Sequence, residues 1–287
     1  MSGSLACPTP SSARPALGPT AMLRSLWKHR ELTAQLAARQ VRARYKDQAL
    51  GLAWALLDPL VTLAIFTLVF GVIFQRAGQG DPSRGGIARY ALDVYAGLLV
   101  FALFRDTVAA APTLITSQRS FVKKVVYPLE TIPVSQLLVS AFNLAVGLGV
   151  WLLGYIIFSQ THIPGPRLLL LPIVVLPVAL LALGLSWILA ALGVFLRDLR
   201  NPVASILQML FFLSAIFYRV EDVPEPWRRA IEWNPLAQVV TSARGVMFAE
   251  GWPAWGSWAL TLGAGLLACI AGHAFFMKSR KAFADVI

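Results

Sequence analysis

Cysteine and histidine are both scarce in this 287-residue chain, with two of the first and three of the second. Cys7 lies in a tail rich in Pro, Ser and Ala, and Cys269 in a late apolar run, so neither a disulfide framework nor a zinc site is available. His29, His162 and His273 are scattered, without the HExxH or Cys/His spacing that builds a metal centre. No GxxxxGK[ST] phosphate loop occurs, which excludes ATP hydrolysis by that route. Glu221, Asp222, Glu225 and Glu232 are the acids a membrane-bound hydrolase would need, yet no Ser or Cys nucleophile with a base accompanies them. The expectation is a chain with no catalytic residue and no metal ligand.

Charge is scarce as well. Asp, Glu, Lys and Arg together make up 14% of the residues against 57% hydrophobic, and mean hydropathy is +0.66. A watered globular surface is excluded, and an all-α membrane protein is expected. Apolar runs recur at about 53–75, 90–115, 131–158, 168–196, 202–218 and 254–277, most of them near the roughly 20 residues that cross hydrocarbon as a helix. Six transmembrane helices place both termini on one side. Sixteen of the 25 Lys and Arg fall on the terminal side and eight on the opposite loops, so both termini are assigned to the cytoplasm. Arg228, Arg229 and Arg244 on the outer side weaken this bias. The net charge of +11 is spread over membrane-flanking loops and not gathered on one module, which argues against nucleic acid as a partner.

Residues 1–22 have the composition of a disordered cytoplasmic tail, without the apolar core of a signal peptide. From 23 to 50, Leu23, Leu26, Trp27, Leu32, Leu36 and Val41 recur at helical spacing, with Arg24, Lys28, Arg39, Arg42 and Lys46 on the other faces. An amphipathic helix in the cytoplasmic headgroup layer is expected, its cations near anionic lipid. Asp58 and Pro59 then mark a bent entry to the first span. Asp58 is read either as paired with an Arg of the preceding helix or as a transport residue, and Arg105 likewise, beside Asp106.

Between the second and third spans lies "SQRSFVKKVVYPLE", a basic island in an apolar chain. Arg119, Lys123 and Lys124 form its charged side and Phe121, Val125 and Val126 an apolar patch. A short helix parallel to the membrane is expected here, stopping at Tyr127 because a residue before proline disfavours helical angles. "FLRDLRNP", with Arg197, Asp198 and Arg200, is a tight cytoplasmic turn. Residues 219–250 carry too many charges to span, and Trp227, Ile231, Trp233, Leu236 and Val240 suggest short outer helices dipping into the leaflet as a re-entrant pair.

Five stretches, "YKDQALGLAWALLDPL", "FVKKVVYPLETIPVSQLL", "FLRDLRNPVASILQMLFFLSAIFY", "WNPLAQVV" and "KAFADVI", occur in this order over residues 45–287. Together they resemble the membrane subunit of ABC-2 type exporters of cell-surface polysaccharide, the O-antigen, teichoic acid and capsule permeases. One departure is Ala215, where that family usually has proline. The resemblance implies one transmembrane domain over 23–287, in a homodimer of six-span protomers in the cytoplasmic (inner) membrane. It implies an ATP-binding-cassette subunit beneath each protomer, with ATP and Mg bound there and no cofactor in this chain. The cargo it implies is a polysaccharide on an undecaprenyl-type lipid.

In the same resemblance Arg119, Phe121, Lys123, Lys124, Tyr127, Pro128 and Glu130 belong to the segment that couples to the ATPase. The 23–50 helix becomes an interface helix, and Trp227, Trp233, Asn234 and Pro235 belong to outer gate helices. Tyr95, Phe104, Phe211, Phe212 and Tyr218 are candidates to line the polymer path, since sugar rings suit aromatic faces. Alternatives left open are an ABC-2 exporter of a small drug or lipid, and a non-transport membrane component of polysaccharide synthesis.

Overall fold

The structure is a computed structural model that describes residues 19–46, 53–66, 68–69, 86–118, 128–158 and 165–283. All regular structure among the described residues is helical. Two helices at the N-terminal end, α1 (Pro19–Lys28) and α2 (Arg30–Lys46), are separated at His29. Helix therefore begins inside the segment expected to be a disordered tail, and Met22 is buried. The expected interface helix is thus bent into two pieces. Leu23 and Trp27 face outward, while Leu36 and Ala37 of α2 are buried beside α5 (Thr131–Phe158).

Four helices are long and apolar enough to cross a membrane: Ala88–Thr113, Thr131–Phe158, Pro166–Phe195 and Trp255–Ser279. They contain α4 (Gly86–Ala110), α5, α6 (Leu171–Phe195) and α10 (Trp255–Ser279). The chain is a multi-pass membrane protein. Of the six expected spans, the first and fifth differ. α3 (Trp54–Phe66) has 13 residues and α7 (Arg200–Leu213) has 14, lengths of about 20 and 21 Å at 1.5 Å per residue against roughly 30 Å of hydrocarbon. α7 ends because the chain turns at Ala215, which takes a left-handed backbone conformation with φ 52.

α4 is the axis of the bundle, with 72% of its apolar window inside the protein, compared with 33% for α5 and for α10. Val94, Tyr95, Val100, Phe101 and Phe104 fill its contacts with α5, α6 and α9 (Pro235–Met247). Trp151 of α5 is fully buried there. Its indole N–H donates to Leu92 O at 3.2 Å, and its ring stacks on Tyr155 and meets Phe248 edge-on.

Among the described residues α6 and α10 have the most extensive contact of any helix pair. Glycine permits this approach: a Cβ on Gly184 would run into the main chain of Ala268, and one on Gly272 into that of Gly184. A second apolar cluster lies at the end of the bundle where α1 approaches the end of α10 and residues 280–283. Met22, Ile115, Ile132, Trp187, Phe276 and Phe283 build it.

Candidate functional site

The basic island occupies the gap between α4 and α5. Arg119, Phe121, Lys123, Lys124 and Tyr127 lie outside the described residues, whereas its exit is well defined. Pro128 O accepts from the N–H of Thr131 at 3.0 Å and from its Oγ1 at 2.7 Å, which starts α5. Glu130 is buried at 5% exposure. Its Oε1 accepts from Ser25 Oγ of α1 at 2.9 Å and its Oε2 from Arg280 Nη1, just beyond α10, at 3.1 Å. Its main-chain carbonyl accepts from Trp187 Nε1 of α6 at 3.1 Å. Glu130 therefore presents its carboxylate to this chain's own helices and ties α1, α6 and the end of α10 to the exit of the basic segment.

The neighbouring turn 197–200 leaves Asp198 and Arg200 exposed on the same connection as α7. The side chain of Arg197 lies outside the described residues. Asp58 is exposed on α3 and has no ion pair among the described residues. Arg105 and Asp106 pair with each other at 2.8 Å, so the two charges at that end of α4 are mutually neutralised.

The five aromatic residues grouped from sequence are separated by the fold. Tyr95 and Phe104 are core residues of α4, at 1% and 2% exposure, and line no open face of the protomer. Their apolar neighbours along α4 are buried on the same helix, which is why the sequence alone did not set them apart. Phe211, Phe212 and Tyr218 remain at the surface around the end of α7. Phe211 meets Phe212, Phe217 and Phe101 with ring centroids 5.3, 5.1 and 5.5 Å apart. Tyr218 donates to Phe212 O of α7 at 3.0 Å and Tyr90 to Phe217 O in the turn at 2.8 Å, so both tyrosine rings are held by hydrogen bonds to the main chain.

Beyond this turn come α8 (Trp227–Glu232) and α9. Trp227 and Trp233 are strongly exposed, at 70% and 82%. Asn234 is the N-cap of α9: its Oδ1 accepts from Leu236 N at 3.0 Å while its Nδ2 donates to Leu213 O at 2.9 Å. Pro235 follows at the first helical position, where its missing N–H matters least. The "NP" pair thus fastens the start of α9 to the last turn of α7.

The sequence reading missed the most buried cation among the described residues. Arg244, counted as an outer loop charge, sits inside α9 with its guanidinium turned into the bundle. Its Nε donates to Asp93 O at 2.9 Å and its Nη1 to Ala215 O at 2.8 Å; its Nη2 donates to Ile216 O. The Asp93 carboxylate lies 3.5 Å away. A lone arginine on the apolar side of "LAQVVTSARGVM" was the available signal. Arg228 and Arg229 also change meaning, since they pair with Glu232 and Glu225 one turn away. Each of these three arginines therefore has an acidic partner within the protein.

Comparison with known proteins bears on the whole arrangement. The family model for ABC-2 type transporter matches residues 31–248. The O-antigen export system permease protein RfbA of Myxococcus xanthus is 26% identical over 234 residues, which cover 81% of this chain and 86% of that protein. A protein of the same name from Klebsiella pneumoniae is 24% identical over 260 residues, 90% of this chain and 95% of its own length. The polysialic acid transport protein KpsM of Escherichia coli is 26% identical over 225 residues, 78% of this chain and 84% of that protein.

Proposed function

The chain belongs to the ABC-2 type transporter family, and from that premise we propose that it is the permease subunit of an ATP-driven exporter of cell-surface polysaccharide. The observation that carries this reading is the nearly full-length likeness to permeases named for O-antigen export and to a polysialic acid transport protein. The aromatic face at the end of α7 supports it, because flat rings held by main-chain hydrogen bonds suit the apolar faces of sugars. In this reading α3 and α7 are the first and fifth of six crossings, and residues 23–287 form one transmembrane domain. The short length of α7 leaves the 214–218 turn and α9 to complete the outer half of the bilayer.

Force comes from elsewhere. The proposed source is a separate ATP-binding-cassette subunit, one beneath each protomer of a homodimer, with ATP and Mg bound in that subunit. The basic segment 119–128 is the docking element, and its three cations suit an acidic cleft. The cargo is a polysaccharide on an undecaprenyl-type lipid, moved outward across the cytoplasmic membrane, with both chain termini on the cytoplasmic side. Deleting the gene is expected to abolish surface polysaccharide while lipid-linked polymer accumulates inside, and re-expression is expected to restore export. Unchanged surface polysaccharide in the deletion strain, with altered drug or lipid efflux, would instead favour a small-molecule exporter of the same family.

A further inference from the structure

The outer helix α9 is fixed to its own protomer at two points. At its middle, the Arg244 guanidinium reaches α4 through Asp93 and the α7 terminus through the carbonyls of Ala215 and Ile216. The receiving helix has left room for it: a Cβ at Gly97 would stand 2.8 Å from Arg244 Nη2 and 3.2 Å from Val240 Cγ1. Gly97 lies one turn after Asp93, so one face of α4 supplies both the acceptor and the space.

At its end, the turn after α9 is gripped by three arginines from three other places in the chain. Arg167, before α6, donates to Ala249 O at 3.1 Å and lies over the Trp252 ring at 4.8 Å. Arg89 of α4 pairs with the Glu250 carboxylate and covers the Phe248 ring at 5.0 Å. Arg219, after α7, approaches the other oxygen of Glu250 at 3.5 Å. Swinging α9 away would leave three carbonyls and a carboxylate in the core without their shared donor, a heavy penalty at low dielectric. It would also break the collar around residues 249–250.

We propose that Arg244 is a positioning residue that holds α9, α4 and the broken end of α7 together as one body throughout transport, so that the outer exit opens between such bodies of two protomers and not by α9 hinging away from its own. The inference rests on the exporter reading. It differs from a simple outer lid in a measurable way, because a lid must part from its protomer in every cycle.

Cysteines at two outer positions separate the alternatives. The position of a Cβ on Gly165 lies 3.5 Å from the Ala249 Cβ, within the roughly 3.5–4.5 Å range a disulfide spans. The Gly165→Cys/Ala249→Cys chain, carrying Cys7→Ser and expressed with its ATPase in cells lacking the native permease, is expected to cross-link readily with oxidant. It is expected to export as much polysaccharide oxidised as reduced. Oxidation that blocks export, reversed by reductant, would overturn the inference, as would a pair that fails to cross-link.

Arg244→Gln supplies a second readout. It is expected to raise the ATP hydrolysed per unit of polymer exported at least several-fold, with Arg244→Lys falling between. A purely structural residue would lower the amount of folded protein and leave that ratio alone, and such a result would remove the positioning role. If the unaltered chain restores no surface polysaccharide, the exporter reading fails; if it does so and the oxidised pair does not, the inference alone fails.

Discussion

Trp187 of α6, itself fully buried, donates its indole N–H to the main-chain carbonyl of Glu130 at 3.1 Å. The same residue's carboxylate is held by Ser25 and Arg280. Glu130 stands two residues after Pro128, so whatever moves the basic segment pulls directly on α1, α6 and the end of α10. In the proposed docking, the basic segment and the bundle would be joined at a single peptide unit and its side chain.

This geometry predicts an asymmetry between the two ends of the ion pair. Arg280 is partly exposed, with side-chain exposure of 31%, and can turn to water when Glu130 is changed to Gln; Glu130, at 7%, cannot follow when Arg280 is changed to Ala. Arg280→Ala is expected to cost roughly 3 kcal/mol, the range for leaving a buried charge without its partner. Glu130→Gln should cost about 1 kcal/mol, since the amide still accepts from Ser25. Thermal unfolding of the two detergent-purified variants checks the order, and a larger loss for Glu130→Gln would contradict it.

The α6 and α10 pair gives a steric test. Gly184→Val forces a branched side chain against the main chain of Ala268, where neither helix can yield without moving its neighbours. Destabilisation of roughly 3 kcal/mol or more is expected, seen as loss of folded monodisperse protein in size-exclusion chromatography. Gly263→Ala on the partner helix α10, where a Cβ would meet nothing within 4 Å beyond the helix's own backbone, should be silent.

The long elements were legible because apolar length is a local property. The apolar run at 131–158 coincides with α5, and the runs at 168–196 and 254–277 differ from α6 and α10 by a few residues. The end of α7 was not legible, for neither Gly nor Pro marks the turn at Ala215. What Glu130 and Arg244 bind was beyond reach for a different reason. Their partners lie 105 and 150 residues away for Glu130, and 151 and 29 for Arg244, so only the assembled bundle reveals them. Tyr95 and Phe104, named as candidates for the polymer path, are buried within the protomer, and an aromatic residue on a helix surrounded by other helices carries no mark in the sequence of which face it occupies.

Ala215 supports a prediction in both directions. Its φ of 52 is one that glycine adopts freely, that alanine adopts at a cost of about 1 kcal/mol, and that proline, locked near −65°, cannot adopt. Ala215→Gly is expected to stabilise the protein by up to about 1 kcal/mol. Ala215→Pro should destabilise it by roughly 3 kcal/mol and loosen the carbonyls that Arg244 binds. Melting temperatures of the three forms settle the order, and a stable Ala215→Pro variant would mean that the chain leaves α7 by another path.

The docking proposal makes the sharpest functional prediction. Reversing Lys123 and Lys124 to Glu changes two charges in the segment that joins α4 to α5, without altering Glu130, Pro128 or any helix contact described above. The docking reading places both lysines in solvent until the ATPase arrives, and surface substitutions usually shift stability by no more than about 0.5 kcal/mol, so expression and dimer formation should be nearly normal. Against an acidic cleft the new charges repel where the old ones attracted, a change worth several kcal/mol of association. The ATPase should therefore fail to co-purify, and surface polysaccharide should fall to the level of the deletion strain. A basic loop that serves only to orient the chain in the membrane predicts something else: the double Glu variant would insert wrongly, and impermeant thiol labelling of Ser83→Cys from outside would be lost. Normal labelling together with lost ATPase binding identifies a docking segment, and wild-type recovery of the ATPase with normal export would rule that role out.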